Sequence, residues 1–222
     1  MPYVPERESI ALTLRPQLAG TRAQAALVFL PNTVQYGMER IPLLKGARIL
    51  DVCRRAKLLI IGLALEAGPR AALRARGEGG PREPECLQKS ELLLLFHLKM
   101  TGRFFVHPQN MPPLPHTRIV FDLGEAGSLF FDDMRTFGYC RVMLREELPA
   151  WPFWAGLGPE PLGMPPQQLA MHFARSFAGR RSSVKSVLLD QSVVAGVGNI
   201  YADESLFSAG IDPRSRAAEV PA

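Results

Sequence analysis

Hydrophobic residues along the first two thirds of this chain alternate or run continuously, and along the last third they recur at helical spacing. Residues 5–18 read as a helix. Pro5 suits the first turn, Glu6 and Glu8 suit the positive end of the helix dipole, and Ile10, Leu14 and Leu18 fall at helical intervals. Strands are predicted over 25–30, 48–52, 58–65, 92–98, 103–106, 118–123, 128–132 and 139–144, punctuated by Gly, Pro and Asn clusters. The apolar run at Leu92–Phe96 is too short to span a bilayer and reads as a buried strand. Between strands, 66–90 is rich in Gly, Pro and Arg and reads as a flexible hairpin insertion. A proline-rich stretch holding both tryptophans follows 145, and helices are predicted over 167–178, 184–190 and 199–209. The pattern predicts an α+β fold with a β-rich domain over 1–145, a Pro-rich linker over 146–166 and a helical domain over 167–222. No internal repeat is found.

Charge and cysteine content narrow the picture slightly. A net charge of +5 over 222 residues favours a polyanionic partner without naming one. The start lacks a charged region followed by an apolar stretch, so no secretory signal is read and a cytoplasmic location is expected. Cys53, Cys86 and Cys140 are odd in number and widely spaced, which predicts reduced thiols and no zinc site within this chain.

Two segments carry candidate chemistry. If Met1 is trimmed, Pro2 becomes an N-terminal secondary amine with a reference pKa near 8, so roughly a tenth of it is neutral at pH 7. Such an amine can attack a sugar aldehyde and form an imine. Farther on, Gly196 and Gly198 allow close backbone approach to a ligand, and Asn199 then opens a helix whose N–H groups make an anion site, with Lys185 nearby.

Six motifs appear in order: Pro2…Pro5-Glu6, Arg54-Arg55-Ala56-Lys57, His97-Leu98-Lys99-Met100-Thr101-Gly102, Asp133-Met134-Arg135-Thr136-Phe137-Gly138, Leu157-Gly158-Pro159-Glu160-Pro161-Leu162, and the run from Gly196 to Phe207. Together they resemble the formamidopyrimidine-DNA glycosylase/endonuclease VIII family of bifunctional base-excision repair enzymes. The resemblance implies a β-sandwich with an N-terminal helix, then a helix–two-turn–helix domain, with double-stranded damaged DNA held between them by a monomer. It implies that Pro2 attacks C1′ of the damaged nucleotide and that the Schiff base permits β- and δ-elimination. Lys57 matches a lysine that contacts DNA near the active site. His97, Lys185 and Asn199, with Gly198, match phosphate-gripping positions. Met100, Arg135 and Phe137 match the residues that fill the hole left by an everted nucleotide.

The departures matter as much. Tyr3 stands where the family has a catalytic glutamate, and a phenol with reference pKa near 10 is a poor substitute for a carboxylate. Glu6 is retained and could cover part of that role or only cap the helix. Lys99 replaces a usual glycine. The family's C-terminal zinc finger is not found, so no cofactor is expected in this chain, and zinc enters only if the native chain continues beyond Ala222. Two readings follow: a glycosylase/lyase, active or attenuated at base excision, or a non-catalytic paralogue that binds damaged DNA.

Overall fold

The protein is described from a computed structural model covering residues 4–65, 87–108 and 111–220, with side chains from Glu8 onward. Among the described residues, helix α1 (Val4–Leu18) precedes nine strands: β1 (Ala25–Val28), β2 (Val34–Tyr36), β3 (Arg48–Arg55), β4 (Leu58–Ala64), β5 (Leu92–His97), β6 (Gly102–His107), β7 (Thr117–Asp122), β8 (Ser128–Asp133) and β9 (Tyr139–Leu144). They form a four-stranded sheet, ordered β1-β7-β8-β6, and a five-stranded sheet, ordered β2-β9-β5-β4-β3. Every predicted strand is present. The three-residue β2 was not predicted, because its pairing with β9 is parallel and reaches across the chain from Val34 to Cys140.

The two sheets face each other over a core in which Phe96 meets Phe104, Phe121 and Phe131, with ring centroids 4.9, 6.1 and 5.1 Å away. β4 and β5 are continuous apolar runs because the five-stranded sheet is covered on both faces. Its second face packs Leu58, Ile60, Leu93, Leu95 and Met143 against Leu148, Trp151, Phe153 and Trp154. The stretch read as a linker is therefore folded, with a 3-10 turn over Arg145–Ala150 and a short helix α2 (Pro152–Ala155). Leu87 and Ser90, at the end of the expected insertion, are buried; positions 66–86 lie outside the described residues.

Helix α1 buries Ala11, Leu14 and Leu18, and Arg15 reaches over β3 to Asp51 (2.7 Å) and the Val52 carbonyl (3.1 Å). Beside this end, Cys53 is disulfide-bonded. The expectation of reduced thiols is thus corrected at Cys53. Cys140 is free and buried, and desolvation pushes its thiol pKa up.

The helical domain contains α3 (Pro166–Phe177), α4 (Val184–Leu189) and α5 (Asn199–Ser208) around a core of Val184, Val187, Val193, Ala202 and Leu206. Two sequence motifs that looked separate join it to the sandwich. Arg55 donates to Glu160 (3.0 Å) and to the Gly158 carbonyl (2.9 Å), while Arg54 pairs with Glu160 (2.8 Å) and with Glu8 of α1 (2.9 Å). The Ala56 N–H also donates to Glu160. Gly158 N–H then donates to the Gln191 carbonyl (2.8 Å), and Ala195 N–H to the Pro159 carbonyl (2.9 Å). A Cβ on Gly158 would sit 2.6 Å from the Ser192 carbonyl oxygen, so the close approach demands glycine.

The side chains of Arg54 and Arg55 are only 5% and 6% exposed, so removing their shared carboxylate leaves two charges sealed with too few partners. Glu160→Ala is expected to destabilise the protein by about 3 kcal/mol, a typical cost for breaking a buried ion pair from one side. Urea denaturation followed through Trp151 and Trp154 fluorescence checks this; a loss under about 1 kcal/mol would show that water replaces the carboxylate.

Candidate functional site

The ends of four strands converge at one side of the five-stranded sheet. β3 finishes at Arg55, β4 starts at Leu58 opposite His97 of β5, and His97 pairs in turn with Tyr139 at the start of β9. The loops leaving this end carry Lys57, Met100, Arg135 and Phe137. Sheet register alone therefore gathers the candidates from three separate motifs.

Met100, Arg135 and Phe137 form one exposed group. Arg135 Nη1 lies 3.5 Å from the Met100 sulfur, and its guanidinium carbon sits 4.8 Å from the centre of the Phe137 ring. Met100 is 44% exposed and Phe137 52%, unusual for apolar side chains beside a well-filled core. His97, in contrast, is buried and stacked on Tyr139 with ring centroids 5.4 Å apart. Its Nδ1 accepts the Lys99 N–H (3.1 Å), which puts the proton of a neutral ring on Nε2. Lys57 is half-buried in the β3–β4 turn.

Backbone strain marks the same loops. Among the described residues, the non-glycine positions with positive φ are Ala56 (53°), Lys99 (50°) and Thr136 (57°). Each is a direct neighbour of a candidate: Lys57, Met100, and both Arg135 and Phe137. Left-handed backbone costs an L-residue on the order of 1–2 kcal/mol, and such strain concentrates where surrounding structure holds a working geometry. Lys99 also lies with its Nζ 5.7 Å from the centre of the Tyr139 ring.

In the helical domain, Gly196 (φ 91°) turns the chain and Gln191 braces that turn: its Oε1 accepts the Gly196 N–H (2.9 Å), while its Nε2 donates to the carbonyls of Leu189 (2.9 Å) and Val197 (3.0 Å). Asp190 accepts the Ser192 hydroxyl (2.6 Å) and N–H (3.0 Å), and these bonds hold its carboxyl below the usual range. Gly198 is buried at the N-cap of α5 with no side chain capping that end, and Asn199 is exposed in the first turn. Lys185 is ion-paired with Asp203 (2.7 Å), a partner that sequence reasoning missed because the two are 18 residues apart.

Pro2 and Tyr3 lie outside the described residues, as does the side chain of Glu6. Glu8 places the start of α1 beside Arg54 and the β3–β4 turn. Among the described residues, no group of three or more His, Cys, Asp or Glu gathers as a metal site, and no helix is long and apolar enough to cross a membrane. Asp133 and Thr101 also escaped notice as individuals. The available signal was an acid ending an apolar strand two residues before an Arg-x-Phe.

Comparison with known proteins agrees along the whole chain. Residues 1–140 match the formamidopyrimidine-DNA glycosylase N-terminal domain, and residues 157–222 match the formamidopyrimidine-DNA glycosylase H2TH domain. The formamidopyrimidine-DNA glycosylase of Nitratidesulfovibrio vulgaris is 37% identical, aligned over 98% of this chain and 78% of that protein. That of Moorella thermoacetica is 38% identical over 99% of this chain and 71% of that protein. The crystal structure of the Lactococcus lactis enzyme, bound non-covalently to DNA containing an AP site, superposes with a TM-score of 0.80 at 24% identity, covering 99% of this chain and 74% of that one.

Lys99→Gly is expected to raise stability by about 1 kcal/mol, because glycine adopts φ 50° without Cβ strain. The check is the denaturation midpoint at unchanged m-value. A fall in midpoint would show that the Lys99–Tyr139 contact outweighs the strain.

Proposed function

Because the chain belongs to the formamidopyrimidine-DNA glycosylase family, we propose that its N-terminal amine and the loops at the end of its five-stranded sheet carry out the excision and strand-cleavage steps on damaged duplex DNA. The protein is a base-excision repair DNA glycosylase of the AP lyase type, and the non-catalytic reading is not favoured. The observation that carries the assignment of the loops is the exposed Met100–Arg135–Phe137 group on strained backbone. Chemistry on a base requires taking the nucleotide out of the stack, and an apolar wedge with an arginine fits the space left behind.

In the proposed reaction the Pro2 nitrogen bonds to C1′ as the bond to the damaged base breaks. The sugar ring then opens by cleavage of C1′–O4′, with a proton passing to O4′, to leave an iminium that acidifies C2′ for elimination of the 3′ phosphate. Lys57 supplies positive charge beside the strand. Lys185, the open N-terminus of α5 at Gly198 and Asn199, and the Nε2 edge of His97 hold phosphates, contacts that position the duplex without reading its sequence. A phenol, unlike a carboxylate, does not accept a proton near neutral pH, so Tyr3 cannot replace the family's glutamate as a base. Base loss therefore slows while elimination from an abasic aldehyde, which needs chiefly the amine, persists. Glu6 is the acid next in line for the missing role.

Borohydride reduction during incubation with abasic duplex is expected to trap an adduct that peptide mapping places on Pro2. General acid–base catalysis contributes about 10²–10⁴-fold, so Tyr3→Glu is expected to raise excision of an intact oxidised base by up to that range with little change in abasic-site cleavage. An adduct on a lysine, or none from protein lacking Met1, would sink the Pro2 assignment; faster excision by the parent than by Tyr3→Glu would sink the account of Tyr3.

The Lys185–Asp203 pair makes a second expectation. A phosphate must displace Asp203 to reach the ammonium, so Asp203→Asn should tighten binding to undamaged duplex severalfold at low salt. Lys185→Ala should weaken lesion and undamaged duplex about equally and flatten the plot of log affinity against log salt by about one unit. A loss confined to the lesion, at unchanged slope, would remove Lys185 from the phosphate grip.

A further inference from the structure

The wedge residues come from two different loops, β5–β6 and β8–β9, each crossing from one sheet to the other, and a buried carboxylate joins them. Asp133, at the end of β8, is only 1% exposed. Its Oδ2 accepts the Gly138 N–H (2.6 Å), and its Oδ1 accepts the Arg135 N–H (3.3 Å), closing the 134–138 loop onto the end of its own strand. Its Oδ1 also accepts the hydroxyl of Thr101, which follows Met100 in the β5–β6 loop. Thr101 returns the link, since the same hydroxyl oxygen accepts the Arg135 N–H (3.3 Å). The loop bearing Met100 and the loop bearing Arg135 and Phe137 thus share a three-way junction of one hydroxyl, one carboxylate and one amide. Arg118 secures it from behind, donating to the Asp133 carbonyl (2.8 Å). Gly138 leaves no slack, because a Cβ there would lie 3.0 Å from Asp133 Oδ2 and 3.0 Å from the Phe131 ring.

We infer that Thr101 and Asp133 are positioning residues that make Met100, Arg135 and Phe137 enter the duplex as one rigid unit, so that lesion capture is cooperative between the two loops. The inference rests on the wedge role given to those three residues above. Exposed apolar side chains on independent loops would each sample many positions, and each would insert only part of the time. Hydrogen bonds to a buried carboxylate are stronger than neutral ones and fix both loops to the same frame. Neither Thr101 nor Asp133 needs to touch DNA for this effect.

The test is a double-mutant cycle on lesion selectivity, measured as the ratio of affinities for abasic-analogue and undamaged duplex. Met100→Ala and Phe137→Ala are made singly and together, in the parent protein and in Thr101→Val. The valine keeps the shape of threonine and removes the hydroxyl, whereas Asp133→Asn would set an amide N–H2 against the Gly138 N–H and endanger the fold. In the parent, the two wedge substitutions should couple by about tenfold, since a unit that has lost one member gains little from the other. In Thr101→Val the coupling should fall to within about twofold, and Thr101→Ser should restore it. Thermal denaturation of Thr101→Val accompanies the cycle. Undiminished coupling in Thr101→Val overturns the inference, and so does an equal loss of lesion and undamaged binding that tracks a lowered melting temperature. If Met100→Ala and Phe137→Ala leave selectivity intact in the parent, the wedge reading itself fails, whereas real but additive single effects in the parent leave the wedge standing and overturn the inference.

Discussion

Sealing two arginines at the end of a β-sheet is unfavourable unless a carboxylate meets them, and the carboxylate that does so here comes from outside the sandwich. Glu160 lies in the segment leading to the helical domain, yet it neutralises Arg54 and Arg55 and takes the Ala56 N–H. Much follows from that placement. Arg55 fixes Gly158, Gly158 and Pro159 pair with the turn between α4 and α5, and the N-terminus of α5 is thereby set relative to Lys57 and the strand ends. Arg54 draws in Glu8, which registers the start of α1 on the same junction. Around it, Ala56, Leu157 and Ala195 exclude water, with Phe153 and Trp154 packed against them.

A rigid frame of this kind permits strain at its rim. Two covered strands, β4 and β5, adjoin loops whose backbones sit in the left-handed region at Ala56 and Lys99, and Thr136, the third such non-glycine residue among those described, lies in the loop held by Asp133. The sheets supply stability and the loops spend a little of it on geometry, a division that fits the wedge role proposed for Met100, Arg135 and Phe137.

Much of this architecture is legible in the amino-acid sequence. Continuous apolar runs announce β4 and β5, and alternation announces most of the rest, because local burial writes directly into local sequence. β2 is not legible: Val34–Tyr36 is short and two-thirds exposed, and it is a strand only by virtue of β9. The packing of 145–160 is hidden because prolines suggest a connector, while what decides the matter is where Leu148, Trp151 and Trp154 find an apolar surface. At the site, ordered motifs identify Met100, Arg135 and Phe137 together. The groups that hold them are silent, since the Thr101–Asp133 bond spans 32 residues and neither partner has a periodic signature.

The same long spans carry a consequence for how the chain comes to be folded. Arg55 and Glu160 are separated by 105 residues, and β5 cannot complete its sheet until β9 has been made. During synthesis β5 therefore lacks its β9 neighbour, and Arg55 its carboxylate, until the ribosome has delivered the segments that follow. Pairings this distant in sequence close slowly, and partly built sheets with open edges are prone to self-association. Completion of the N-terminal sheet is thus tied to segments made late, and the last of its partners to arrive is Glu160.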